Sequence, residues 1–333
     1  MTVGLYISPG DVPCIIGDTL ATSDNTDFTK LLTPSIKYNE GKIDNYEICR
    51  LVRKVNFLNK RTCITLAGLE DPIREFVCRN DELIDHISRL ERPMRILGDN
   101  ANETPGVEMV GVHVYDDHMN TVSPIKNRFT LENFGQCAAI GSGMNFAKKL
   151  AAEWDRMTNR PNNPHDCYEI IRGFSSAFCS AILANEFIFS NIESWGGFIE
   201  YASYFDDNKS WSYGPKSAYT FAFIEFIGDN KFTIHQINKF VLYEGNINCG
   251  RILSIHQDDR KFIATQWVLE NIIGYNIPAD DPKFWNGWFP DSITTCFIFP
   301  KEMNYAISHK TTDWHQKNEF TCEIRDSRAY AAS

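Results

Sequence analysis

Four residues in this chain are of types that together could carry acyl chemistry: a threonine, an acid, a lysine and a glycine. Thr2 directly follows Met1. Methionine aminopeptidases remove an initiator methionine when the next side chain is small, and threonine qualifies. Removal would leave an α-amine on the residue that carries the hydroxyl. A threonine hydroxyl is a weak nucleophile until a base takes its proton, and an N-terminal amine can be that base. Its unperturbed pKa of about 7.7–8.0 leaves it partly neutral near pH 7. Many chains begin Met-Thr, so the pair gains meaning only from what converges on it.

Asp18 ends the run VPCIIGD, which a hairpin would fold back beside the start of TVGLYIS. A carboxylate there can fix a cation by charge-assisted hydrogen bonding, or it can simply hold its own turn. Lys54, in RKV at the start of a strand, is a candidate for that cation. Beside the hydroxyl and the amine it would favour their deprotonated forms; the alternative is a solvated surface lysine. Gly68 closes TCITLAG ahead of a helix. A glycine lets the backbone approach a ligand, and its N–H can stabilise a tetrahedral oxyanion. The plainer reading is a strand-to-helix turn.

Strands and helices must bring these residues together. TVGLYIS and VPCIIGD read as strands around a PG turn, and LVRKVNFLNKRTCITLAG as a second pair around NK. In EDPIREFVCRNDELIDHISRL, apolar residues recur at helical spacing and Pro72 sits where a first turn accepts it. GVEMVGVHVYDD with MNTVSPIKN suggests another hairpin, and QCAAIGSG a buried strand. Two helices come next, MNFAKKLAAEWDRM and HDCYEIIRGFSSAFCSAILANEF, then the strands GGFIEYASY, SAYTFAFIEF and KFTIHQINKFVLY. Near the end, IATQWVLENIIGY reads as a helix, TTCFIFP and EFTCEIR as strands. Strands and helices are segregated rather than alternating, which predicts an α+β fold of stacked layers with antiparallel sheets.

Composition narrows the function classes. The formal net charge of −10 and the lack of a clustered basic block argue against a nucleic-acid partner. Apolar runs such as AYTFAFIEFIG are broken by charge before they reach membrane-span length, so no membrane role is expected. The opening lacks a positive segment followed by an apolar one. The ten cysteines are irregularly spaced, without a CxxC pair, so a cytoplasmic protein without a disulfide framework is expected.

In order along the chain, IIGD at Asp18, RKV at Lys54, TLAG at Gly68, AAIGSG before a helix, and SWGG before a strand resemble the proteasome β-type and HslV-like peptidases. These are N-terminal nucleophile hydrolases. The resemblance covers about residues 2–204, extending to about 245. It implies a four-layer αββα sandwich with two antiparallel sheets and helices outside. It implies Thr2 as nucleophile and its own amine as base. Asp18 and Lys54 would form the charge network, Gly68 N–H the oxyanion donor, and Ser142 of GSG a hydroxyl near the amine. Arg53 competes with Lys54 if the register slips by one. Glu193 is the nearest acid ahead of the GG strand. Val3 stands where many members carry a second threonine, and Leu20 where many carry arginine.

The implied activity is hydrolysis of peptide or other amide bonds through an acyl-threonine, with no cofactor. The implied partners are a peptide or protein substrate, further copies of the chain in a homo-oligomer, and an ATP-dependent unfoldase. A catalytically silent scaffold, or a small-molecule amidase or peptide ligase, is the alternative. The expected division is a domain over 2–249, with an insertion at about 24–50, and a C-terminal extension over 250–333. Two further clusters are candidates: His113, Asp116, Asp117 and His118 for a metal, and FWNGWF as a recognition patch or core filler.

Overall fold

Strand β1 (Gly4–Ile7) and strand β2 (Cys14–Asp18) are joined through a short 3-10 turn at Pro9–Asp11 and pair antiparallel, Gly4 opposite Gly17. The expected opening hairpin is therefore present. This is a computed structural model, and it describes residues 2–23, 47–85, 93–115, 119–122, 127–189, 196–205, 209–228, 231–245, 250–258, 261–271, 290–299, 304–311 and 325–326. The chain continues with β3 (Leu20–Ser23), β4 (Glu47–Arg53), β5 (Val55–Asn59) and β6 (Thr62–Gly68). Helices α1 (Glu70–Arg79), α2 (Asp81–Asp85) and α3 (Pro93–Glu103) lead to β7 (Val107–Val114), β8 (Met119–Val122), β9 (Arg128–Leu131) and β10 (Gly135–Ile140). Then come α4 (Met144–Met157), α5 (Pro164–Phe189), β11 (Ile199–Phe205) and β12 (Ser210–Tyr213). The remaining elements are all strands: β13 (Ser217–Gly228), β14 (Lys231–Gly245), β15 (Gly250–Asp258), β16 (Lys261–Asn271), β17 (Ser292–Phe299), β18 (Asn304–Thr311) and β19 (Arg325–Asp326).

The fold is mixed α+β. Three sheets form among the described residues, one more than expected: six strands ordered β12-β11-β2-β1-β10-β9, four ordered β5-β6-β7-β8, and nine ordered β19-β18-β17-β13-β14-β15-β16-β4-β3. Strand alternation sends successive side chains to opposite faces, and the cores obey that rule. Tyr6, Ile15, Ala138 and Ile140 of the six-stranded sheet meet Val55, Cys63, Val110 and Val112 of the four-stranded sheet. On the other face of the four-stranded sheet, Ile64, Leu66 and Met109 pack on Phe76 of α1 and on Met94 and Leu97 of α3. Leu5, Ile16 and Ala139 on the outer face of the six-stranded sheet pack with Leu150, Phe174 and Phe178 of α4 and α5. Ile15 is fully enclosed, so Ile15→Ala is expected to cost about 2–5 kcal/mol.

From Gly173 to Ala184 every residue of helix α5 is buried, because the helix is covered twice. It touches β11 on one side and β17 and β18 on the other, the situation of a buried helix rather than an amphipathic surface one. The nine-stranded sheet contributes Phe221, Val241 and Ile298 to this same core. Its β14–β15 hairpin passes from Gly245 to Gly250, so the sequence-based division at 249/250 falls inside one continuous sheet. Of the expected insertion at 24–50, the stretch 24–46 lies outside the described residues, and β4 begins at Glu47.

Two local expectations are corrected. The segment 263–275 is expected to be a helix, but Lys261–Asn271 is a strand paired along its length with β15. Ile263, Thr265 and Val268 are β-branched, and a waiting strand edge supplies the hydrogen bonds a helix would have made internally. The helix expected over 70–90 breaks at Asn80, whose side-chain amide donates to the Phe76 carbonyl at 2.7 Å. Helix α3 and strand β18 are additions that the sequence pattern does not announce.

Candidate active site at the start of the first strand

Two neighbouring strands deliver the first two groups. Beyond Gly4, the ladder between β1 and β2 is continued by a side chain: Val3 N donates to Asp18 Oδ1 at 2.9 Å, while Asp18 N donates to Val3 O at 3.1 Å. Thr2 and Asp18 are thereby held at the same end of the hairpin. The third group arrives from a sheet junction. Lys54 belongs to no strand; it is the single residue between β4 of the nine-stranded sheet and β5 of the four-stranded sheet. Its Nζ donates to Thr2 Oγ1 at 2.8 Å, to Asp18 Oδ1 at 2.9 Å and to the Leu20 carbonyl at 2.5 Å. Three acceptors match the three N–H donors of an ammonium.

All three residues are enclosed: Thr2 is 1% exposed, Asp18 0% and Lys54 3%. Buried charges are tolerated when paired and hydrogen-bonded. Asp18 meets that condition, accepting from Val3 N, Lys54 Nζ and, through Oδ2, from Gly196 N at 2.9 Å. Burial pushes the Lys54 pKa below its ordinary 10.5, and the Asp18 carboxylate opposes that by favouring the charged form. The lysine side chain is thus held between one acid and one hydroxyl.

Two glycines allow close backbone approaches at the site, one of them to Thr2. Gly141 has φ +83°, and a Cβ there would stand 2.0 Å from the Thr2 carbonyl oxygen. That carbonyl accepts from Gly143 N at 3.3 Å, with the Ser142 hydroxyl at 3.5 Å. Gly68 has φ +144°, and a Cβ there would stand 2.0 Å from the Gly106 carbonyl oxygen. A cavity of about 460 Å³ opens beside them, walled by Thr2, Gly68, Gly106, Glu108, Gly141 and Ser142 among others. Thr2, Gly68 and Ser142 thus share one cavity, and Asp18 and Lys54 stand directly behind the threonine.

Of the sequence candidates, Glu193 lies outside the described residues. Besides Asp18, the GG turn meets Glu186, near the end of α5, which accepts from Gly197 N at 2.8 Å and is buried. A lone acid inside the apolar run AILANEFIF is the available signal for it. A second residue missed by sequence reading is Glu108, whose Oε2 accepts from Gly141 N at 2.9 Å at the cavity wall. Arg53, the competitor to Lys54, turns the opposite way. It forms a buried bidentate pair with Glu200, its Nε at 3.0 Å and Nη2 at 2.8 Å from Oε1. Burial disfavours its charge, but Glu200 with Tyr213 and Tyr243 outweighs that and holds its pKa above the ordinary range.

No protein-family model matches the chain, and no curated protein matches it.

The other sequence candidates are placed elsewhere. His113 is buried and shares a 2.8 Å hydrogen bond with the Thr62 hydroxyl; Asp116, Asp117 and His118 lie outside the described residues, as does FWNGWF. Among the described residues no group of three or more His, Cys, Asp and Glu is placed to hold a metal. The described cysteines, Cys14, Cys63, Cys78, Cys137, Cys167, Cys179 and Cys296, are free thiols. No helix among the described residues is long and apolar enough to cross a membrane.

Proposed function

We propose that this chain is a divergent N-terminal threonine hydrolase, related to the proteasome β-type and HslV-like peptidases and cleaving peptide or other amide bonds. One observation carries the reading: the Lys54 ammonium bridges the Thr2 hydroxyl and the Asp18 carboxylate at 2.8 and 2.9 Å, directly behind a cavity wall. The face-to-face contact of the six- and four-stranded sheets, with helices on their outer sides, fits a four-layer αββα sandwich. In this reading the nine-stranded sheet is an addition laid over α5.

The chemistry begins with loss of Met1. The freed Thr2 amine takes the hydroxyl proton as Oγ1 attacks the substrate carbonyl carbon. The carbonyl π electrons move onto oxygen, and the Gly68 N–H stabilises that oxyanion. Collapse re-forms the carbonyl and breaks the C–N bond, and the proton on the Thr2 amine passes to the leaving nitrogen. Water then attacks the threonyl ester, giving its proton to the same amine, and the ester C–O bond breaks to restore the hydroxyl. Lys54 keeps its protons throughout. Its charge lowers the cost of the developing alkoxide, and Asp18 keeps that charge aimed. Ser142 stands at the mouth of this arrangement, and Glu186 steadies the glycine turn on which Asp18 Oδ2 rests. A cytoplasmic homo-oligomer working with an ATP-dependent unfoldase on peptide or protein substrates belongs to the same proposal.

The test is intact mass of untagged protein before and after treatment with a peptidyl epoxyketone. The expected result is a chain lacking Met1 that gains one inhibitor mass, with no gain in Thr2→Ala. A retained Met1, or a processed chain that gains nothing, overturns the proposal.

A further inference from the structure

Lys54 sits where the chain leaves one sheet for another, and both of its neighbours are gripped by one buried polar cluster. On one side, Arg53 is 0% exposed and locked to Glu200, itself 1% exposed. The Tyr243 hydroxyl donates to Glu200 Oε1 at 2.6 Å. On the other side, the Val55 carbonyl accepts from the Tyr213 hydroxyl at 2.7 Å. The Tyr213 ring lies 3.8 Å from the Arg53 guanidinium and stacks on Phe57. Arg53, Glu200, Tyr213 and Tyr243 thus form one cluster that includes the residue before the lysine and, through the Tyr213 hydroxyl, holds the residue after it.

Glu200 also ties this cluster to the other half of the site. Its strand, β11, pairs with β2 so that Glu200 stands opposite Gly17 and Ile199 opposite Asp18. The glutamate backbone is thus anchored to the strand that carries Asp18, and its side chain to the residue that precedes Lys54. Strands late in the chain, on both sides of the expected domain boundary, complete the clamp. Tyr243 comes from β14, β16 pairs with β4 with Asn271 opposite Arg53, and a Cβ at Gly250 would meet Glu200 Oε1 at 2.7 Å. A buried bidentate arginine pair has a fixed planar geometry, so a shift of Glu200 is transmitted to the junction rather than absorbed.

We infer that Glu200 is a positioning residue: through Arg53 it sets the strand junction that aims Lys54 at Thr2, and the late strands bearing Tyr243 and Gly250 are part of that device. The inference takes from the proposed function only the identity of Thr2 and Lys54 as the reacting pair.

The experiment uses the full chain with Arg53→Leu and Glu200→Leu combined, alongside Tyr243→Phe. Replacing both members of a buried pair by apolar side chains is often neutral for stability, so the paired variant separates folding from aim. Two readouts are taken: titration of Lys54 by NMR of isotopically labelled lysine side chains, assigned by loss of its signal in Lys54→Arg, and the rate of Thr2 modification by an epoxyketone. The expected result is a folded paired variant whose Lys54 titrates at a changed pH and whose Thr2 reacts about 10- to 100-fold more slowly. Tyr243→Phe, which loses one hydrogen bond, is expected to shift the Lys54 titration in the same direction by less, and it decides the matter if the paired variant does not fold. A wild-type Lys54 titration in the folded variant overturns the inference. Inertness of wild-type Thr2 together with a shifted Lys54 titration overturns the proposed function and leaves the positioning role standing.

Discussion

Arg53 and Lys54 are consecutive, both buried and both paired with a carboxylate, yet their surroundings differ in kind. Arg53 is paired with Glu200 and faced by the Tyr213 ring, both of them parts of the fold. Lys54 directs one of its three hydrogen bonds to the hydroxyl of Thr2, a residue that lines a cavity. The guanidinium suits the first task because its planar fork matches a carboxylate and stays charged; the compact ammonium suits the second because it focuses charge on one oxygen. Extended backbone sends adjacent side chains to opposite sides. One strand end can therefore serve architecture with one residue and chemistry with the next.

That contrast can be broken most violently on the architectural side. Arg53→Leu alone leaves the Glu200 carboxylate buried and uncompensated, and a loss of about 3–5 kcal/mol in urea unfolding is expected. Next comes Gly141→Ala, which forces a Cβ against the Thr2 carbonyl at a positive φ. Backbone strain of about 1–3 kcal/mol is expected, with a turnover loss of about 10-fold or more because Thr2 is displaced. A subtler variant sharpens the chemical side. The Lys54 pKa lies below 10.5 because of burial, and Asp18 is the influence that raises it. Turnover should therefore fall on the alkaline side below pH 10.5 as Lys54 loses its proton. Asp18→Asn removes the counter-charge, so in a pH–rate profile that fall should move to still lower pH. The smallest effect belongs to Ser142→Ala. Its hydroxyl is exposed and 3.5 Å from the Thr2 carbonyl, so a change within about 1 kcal/mol in kcat/KM is expected.

Much of this arrangement is legible in the chain. The hairpin that places Thr2 beside Asp18 announces itself through its PG turn, and helix α4 spans Met144–Met157 as its apolar spacing indicates. The hidden parts depend on distant partners. Strand β16 carries apolar residues compatible with a helix, and only the edge of β15 decides for a strand. Helix α3 contains Gly98 and two asparagines, weak helix formers, and is held by packing Met94 and Leu97 on the four-stranded sheet. Glu186 reads as a helix-interior acid until the chain returns, eleven residues later, with Gly197. The choice between Arg53 and Lys54 turns on which face of a sheet junction each occupies, and no local pattern encodes that.

The central claim is that Lys54 makes the Thr2 hydroxyl reactive. The most direct measurement is the rate of epoxyketone attachment at Thr2, located by peptide mass mapping, in the wild-type chain and in Lys54→Ala, with folding of both checked by circular dichroism. The account predicts a folded variant whose Thr2 reacts about 100- to 1,000-fold more slowly. Attachment to Thr2 at the wild-type rate in that variant would contradict it.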